Sequence, residues 1–453
     1  MSVPASLANR IRRRPRPQIF GIMLFVLLAL CIYSDINRFS IVVSGSANLL
    51  SPVYLLLCVL VFLAFRFRFW TSLGRAGHIY LFFLLFYMAL SSVVRLGDFS
   101  DLTIYVVAYR IRTFLTSLLF LLAAALGAYH MFKAFEMRKA LWILVFCSAA
   151  MPFGVLLGKV TTSAVASAYT KDQGLKSGQA KALMMDRIGR NVGVFGDPNQ
   201  AGMFLTSGAV LAFACLSVAK TSHERIMLLA LIAVFGACVV TTFSRSAIMA
   251  FMIMVISQIT LSRVIRGRAA FLAGAIGLAG VGWFITVGYE QFDLTKHQKT
   301  RMEDFGALAQ GKFNPAVTGH RFVVAGVGLK AWAESPVFGH GIGRGVEFQP
   351  HNEFIRIMVD AGVVGVLPFI FFFVTATLIA FRCKIESTRN LVIGFLAVFL
   401  CSCMTLQTNL VDNVPSLMLG ICFAALAVAD EESRQRRTID RQRSRPATMP
   451  NHA

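Results

Sequence analysis

The sequence predicts an all-α, polytopic integral membrane protein with about twelve transmembrane helices and a large outer loop containing an amphipathic helix. Three observations predict it. Of 453 residues, 57% are hydrophobic and 40 are Phe, with a mean hydropathy of +0.68, well outside the range of a soluble domain. The apolar residues fall in runs of about 20, the length a helix needs to cross the hydrocarbon core. The runs lack the two-residue alternation of barrel strands, so each must satisfy its backbone internally, as a helix.

Taken in order, the runs centre near residues 18–34, 49–65, 78–95, 103–127, 140–158, 199–219, 225–241, 245–262, 269–288, 353–380, 390–410 and 414–429. The first resembles a signal peptide ending in LALC, but Leu30 is too large for the cleavage position, which predicts an uncleaved span. Charge orients the set, because short loops rich in Lys and Arg stay on the inner side. RIRRRPRP before the first span, then RFRFWTSLGR, HMFKAFEMRK, AKTSHER, SRVIRGR, FRCKIESTR and the terminal RQRRTIDRQRSR all fall on one side of a twelve-span topology. The segments are then 1–17, a basic inner terminus; 18–158, five spans; 159–198, a first outer loop; 199–288, spans six to nine; 289–350, a large outer loop; 351–429, three spans; and 430–453, a basic inner tail. The net charge of +22 follows from this topology and from contact with anionic membrane lipid. No groove-reading module accompanies it, so no nucleic-acid partner is predicted. All nine cysteines lie in or beside apolar runs, which disfavours a disulfide framework.

The large outer loop has two parts. Phe322, Ala325, Leu329 and Trp332 recur at helical spacing until Pro336, predicting an amphipathic helix at the outer membrane boundary. Glycines 339, 341, 343 and 345 follow as a turn-rich linker without the Lys-Ser/Thr of a phosphate loop. Asn199 reads as a helix cap.

Polar residues gather on the outer side. Arg245 sits at a short outer turn, Arg190 and Arg321 in the two loops, and Arg110 and Arg112 about two turns below the outer surface. A charge at the bilayer centre costs about 2.5 to 3.5 kcal/mol on insertion scales, so buried arginines imply a ligand or a partner. Arg356 and Asp360, four apart, are spaced to neutralise one another on one helix face. Guanidinium groups bind phosphate oxygens through paired N–H donors and keep their charge in apolar surroundings. A cationic cleft partly in lipid therefore suits a polyprenyl diphosphate carrying a glycan. No Asp-x-Asp or His/Cys spacing on the outer side predicts a metal, and no cofactor is predicted. His351, next to a capping Asn352 at a helix start, can accept a proton from an attacking sugar hydroxyl. A transporter of lipid-linked sugar and a non-catalytic envelope scaffold remain as other classes.

RIGRNVGVFGDPNQAG, TFSRSAIMAF, GHRFVVAGVGLKAWAESPVFGHGIGRG and PHNEFIRIMVDAGVVGVLP, in this order, resemble the O-antigen ligase and O-antigen polymerase superfamily of bacterial envelope glycosyltransferases, over residues 187 to 368. The resemblance implies a metal-independent inverting transferase of the GT-C type in the inner membrane, with its active site facing the periplasm. The donor it implies is an undecaprenyl-diphosphate-linked glycan, and the acceptor lipopolysaccharide core or a growing polysaccharide. Matched by motif, the catalytic residues are His351, Arg245 and Arg321, and Arg190 and Asn352 bind substrate. Arg110 and Arg112 are donor contacts on the charge argument alone. The 159–198 loop matches no family pattern.

Overall fold

The computed structural model describes residues 19–34, 51–66, 68–97, 101–152, 198–261, 296–309, 311, 321–348, 350–405, 410 and 412–443. Among them are fourteen helices and no strand: α1 Ile19–Ser34, α2 Ser51–Phe65, α3 Phe69–Leu96, α4 Asp101–Ala134, α5 Met137–Ser148, α6 Pro198–Leu216, α7 Ser222–Thr241, α8 Arg245–Leu261, α9 Lys296–Ala309, α10 Arg321–Glu334, α11 Arg344–Glu347, α12 Glu353–Arg382, α13 Glu386–Thr405 and α14 Asn413–Arg443. Seven are long and apolar enough to cross a membrane: α3, α4, α6, α7, α12, α13 and α14; α1, α2 and α8 are shorter apolar helices. The all-helical expectation holds, and ten of the twelve runs fall on these helices. The run at 140–158 is helical in α5 and passes beyond the described residues, and the run at 269–288 lies outside them.

The core follows from pattern. Large buried side chains such as Tyr33, Phe25, Phe83, Phe114, Phe120, Phe369 and Phe399 join the helices into one cluster. In a membrane these contacts gain dispersion and close packing rather than escape from water. Small residues let axes approach. At Gly420 of α14 an added Cβ would lie 2.6 Å from the Leu121 carbonyl oxygen of α4, so that pair packs backbone to backbone. At the inner-loop end expected from the charge pattern, Lys133 of α4 pairs with Glu431 of α14, and Arg138 with Glu224.

The α12 helix is broken. Gly362 has φ +64° and ψ −162°, which interrupts the ladder nine residues after Glu353. The backbone groups left by such a break need other partners. The glycine strip supplies them: His340 N–H donates to the Val359 carbonyl at 2.7 Å and Gly341 N–H to that of Asp360 at 2.9 Å. In return, Val363 N–H donates to the Pro336 carbonyl at 2.9 Å and Val364 N–H to that of Val337 at 3.3 Å. The strip also reaches α3, where Ile342 N–H donates to the Ser91 carbonyl at 2.8 Å. It is a fitted structural segment, which corrects the linker expected from glycine density.

The α10 helix forms where its periodicity placed it, but its apolar residues divide. Ala325, Ala331 and Trp332 pack on Ile355 and Val359 of α12, whereas Phe322, Val323, Val327 and Leu329 are exposed. The expected single stripe is thus two apolar faces, because alanine and glycine suffice for the protein side.

Candidate functional site

The α7–α8 turn is built to hold Arg245. Phe243 turns the chain in the left-handed region at φ +49°. Ser244 Oγ accepts the Ala247 N–H at 3.3 Å, capping α8, and donates to Asn199 Oδ1 at 2.8 Å. Asn199, expected as a cap, thus pins the turn from α6. Close packing fixes this arrangement, since an added Cβ at Gly202 would lie 3.2 Å from Thr242 Oγ1 and also meet the Ala247 side chain. Arg245 follows the cap, and its guanidinium pairs with Asp304 of α9 at 3.3 Å.

Arg321, first residue of α10, donates from Nη1 to Ser246 Oγ at 2.7 Å. Arg245 and Arg321 are therefore brought to adjacent positions, though 76 residues separate them in the chain. On the other side, Asn352 Oδ1 accepts from the N–H groups of Phe354 and Ile355 at 2.9 and 3.2 Å, the cap expected for α12. Its Nδ2 donates to the Met404 carbonyl at 3.4 Å. One turn earlier on α13, Cys401 Sγ lies 3.9 Å from the Ser246 carbonyl oxygen. A single turn of α13, about 5 Å long, thus joins the Arg245–Arg321 group to the Asn352–His351 group. Gln200 Nε2 donates to Asp412 Oδ2 at 3.2 Å and ties the start of α6 to the same end of the bundle.

His351 is partly buried and holds φ +49°, a left-handed conformation that a non-glycine residue adopts at a cost of roughly 1 to 2 kcal/mol. An added Cβ at Gly328 of α10 would lie 2.8 Å from Ile355 Cγ2 and 3.3 Å from Pro350 Cβ, so α10 packs over the segment that bends at His351.

Behind this bend lies a buried polar group. Glu353 and Asp360 are 0% and Arg356 2% exposed. Arg356 Nη1 pairs with Glu353 at 2.9 Å, and its Nε stands 3.8 Å from Asp360. Asp360 instead accepts the Tyr87 hydroxyl at 2.6 Å and the Gly345 N–H at 2.7 Å. The expected Arg356–Asp360 pair is thus the weaker half of a four-residue network. Glu353, three residues before Arg356, was legible in sequence; Tyr87, on α3, carried no signal.

Of the other predicted residues, Arg110 and Arg112 are two apart on α4, so they point to roughly opposite sides. Arg112 is exposed, and Arg110 lies beside Gly343 of the strip. Arg190 lies outside the described residues. Sequence reasoning missed Asp304, Ser246 and the α13 turn, which act through contacts across distant segments.

A search among curated proteins finds no match. The family model described as O-antigen ligase matches residues 227–370, a stretch that begins within α7, ends within α12 and contains Arg245, Arg321, His351 and Asn352. Over that stretch the resemblance read from the motifs holds, and this chain with many apolar helices is similar to the O-antigen ligase superfamily of membrane proteins in polysaccharide assembly.

Proposed function

We propose that the protein transfers a glycan from undecaprenyl diphosphate to a sugar hydroxyl, with inversion at the anomeric carbon and without a metal. The observation that carries this reading is the meeting of Arg245 and Arg321 at Ser246, one α13 turn from Asn352 and the bend at His351. The acceptor oxygen attacks the anomeric carbon from the face opposite the diphosphate. Its proton passes to a His351 imidazole nitrogen as the bond from the anomeric carbon to the phosphate oxygen breaks, and the electron pair leaves with the diphosphate. Arg245 and Arg321, joined by Arg190 from the 159–198 loop, stabilise the developing negative charge. Asn352 orients His351 by fixing the helix start. In this reading the chain crosses the bacterial inner membrane twelve times and the site faces the periplasm, supported by the one-sided distribution of Lys and Arg. The acceptor is lipopolysaccharide core or a growing polysaccharide.

The Gly362 break favours a second reading, a transporter of the lipid-linked sugar, since transporters bind cargo at broken helices. Against it, four of the freed backbone groups are engaged by residues 336–341, two of them by the glycine strip and two by the turn just before it. Purified protein in liposomes, given a glycan on undecaprenyl diphosphate and an acceptor, separates the two. Covalent transfer that is lost in His351→Ala supports the enzyme; movement of intact donor across the bilayer without transfer supports the transporter. In cells lacking the protein, single repeat units on the carrier indicate a polymerase and long unattached chains a ligase.

A further inference from the structure

A second cationic group lies around the glycine strip, on the face of α12 turned toward α3 and α4. At Gly341, φ +87°, an added Cβ would lie 2.5 Å from the Arg95 backbone; at Gly343, φ +94°, it would lie 3.9 Å from Arg110 Cγ and Nε. Arg344 is the next residue. The strip thus gathers Arg95 of α3, Arg110 of α4 and Arg344 of α11 within one small region. Arg95 is only 8% exposed, and its Nε, like that of Arg110, is buried without a hydrogen-bond partner among the described residues. Glu347 lies between two of the three, 2.8 Å from Arg344 and 3.6 Å from Arg95, and is itself half exposed. Arg356 nearby pairs with two carboxylates, Glu353 and Asp360, and Asp360 also lies in the field of Arg110. Four guanidinium groups therefore face three carboxylates, Glu347 included, an excess of one positive charge. Tyr109, whose ring lies 5.6 Å from the Arg110 guanidinium, presents an exposed apolar wall on α4 together with Tyr105 and Ile104 of the preceding turn.

We propose that Arg95, Arg110 and Arg344 form a second binding site, for the diphosphate headgroup of an isoprenoid lipid, with Glu347 as the resident anion that the headgroup displaces. The apolar wall receives the tail. Charge selects the headgroup: a phosphodiester lipid carries about one negative charge and only replaces what Glu347 supplies, whereas a diphosphate carries two or more and meets the remaining excess. It counts as a second site because Arg245 and Arg321 are held by α8, α9 and α10, whereas these three arginines stand on α3, α4 and the strip. The carrier class is that of the proposed reaction, but the site is read by binding and does not require transfer.

The test is equilibrium binding of farnesyl diphosphate, a short-tailed probe, to the whole protein in nanodiscs of neutral phosphatidylcholine. Wild type binds two per chain, and Arg245→Gln with Arg321→Gln leaves one. In that background Glu347→Gln tightens binding up to about 5-fold. Arg110→Gln or the more exposed Arg344→Gln weakens it by about 10-fold with unchanged melting temperature. Phosphatidylglycerol does not compete. Unchanged binding in Arg110→Gln and Arg344→Gln, weaker binding in Glu347→Gln, or equal competition by phosphatidylglycerol overturns the proposal. Loss of the transfer reading instead appears as glycan transfer that persists in His351→Ala, with these binding results intact.

Discussion

At the residue scale, His351 combines a strained backbone with the one side chain suited to move a proton near neutral pH. The two properties separate by substitution. His351→Gly relieves the left-handed conformation and is expected to match or exceed the stability of His351→Ala by about 1 kcal/mol. Both should lose at least about 100-fold in transfer rate. Thermal unfolding in detergent with a transfer assay checks this; a His351→Gly protein that transfers normally makes the residue a bend and nothing more. The Asp360 network supports the same segment from behind. Asp360→Ala leaves Arg356 with Glu353 alone and strands the Tyr87 hydroxyl and Gly345 N–H, at an expected cost of about 3 to 5 kcal/mol. Tyr87→Phe removes one hydrogen bond and should cost about 1 kcal/mol. Equal losses in the two variants would mean that Asp360 does not organise the cluster.

At the element scale, the broken α12 and the glycine strip form one unit. Gly341→Ala forces a Cβ against the Arg95 backbone at φ +87°. It should destabilise the protein by at least about 2 kcal/mol and expose the strip to proteolysis. Gly326→Ala, in α10 with open space around it, should be neutral or slightly stabilising. A limited-proteolysis comparison of the two distinguishes a fitted strip from a free one. This unit was the least legible part of the sequence. Glycines at alternate positions look the same whether they serve flexibility or close approach, and the groups that decide between them, on Arg95, Val359 and Val337, lie 18 residues or more away or have no side-chain signal. The α12 start was legible because Asn352 and the following apolar run are local signals. The division of the α10 apolar stripe was not, since Ala325 and Ala331 are buried only because α12 lies against them.

At the scale of the whole molecule, the helical class was plain in the sequence because composition and run length are set by the membrane itself. Convergence of Arg245 and Arg321 could be argued only as a shared side of the membrane; the hydrogen bond through Ser246 depends on how α8 and α10 meet. Asp304 was hidden for the same reason, its segment reading as an ordinary polar stretch of loop. The proposed topology has a direct check. In a cysteine-free background, Ala333→Cys should react with a membrane-impermeant maleimide on spheroplasts, and His223→Cys only after permeabilisation. Labelling of both from one side would overturn the orientation.

The most direct measurement compares donor binding and single-turnover transfer in His351→Ala and in Arg245→Gln with Arg321→Gln, using an undecaprenyl-diphosphate glycan. The account predicts that His351→Ala binds donor as wild type does yet transfers at least about 100-fold more slowly, while the arginine pair loses affinity and rate together. Normal transfer in His351→Ala, or normal donor binding and transfer without the two guanidinium groups, would contradict it.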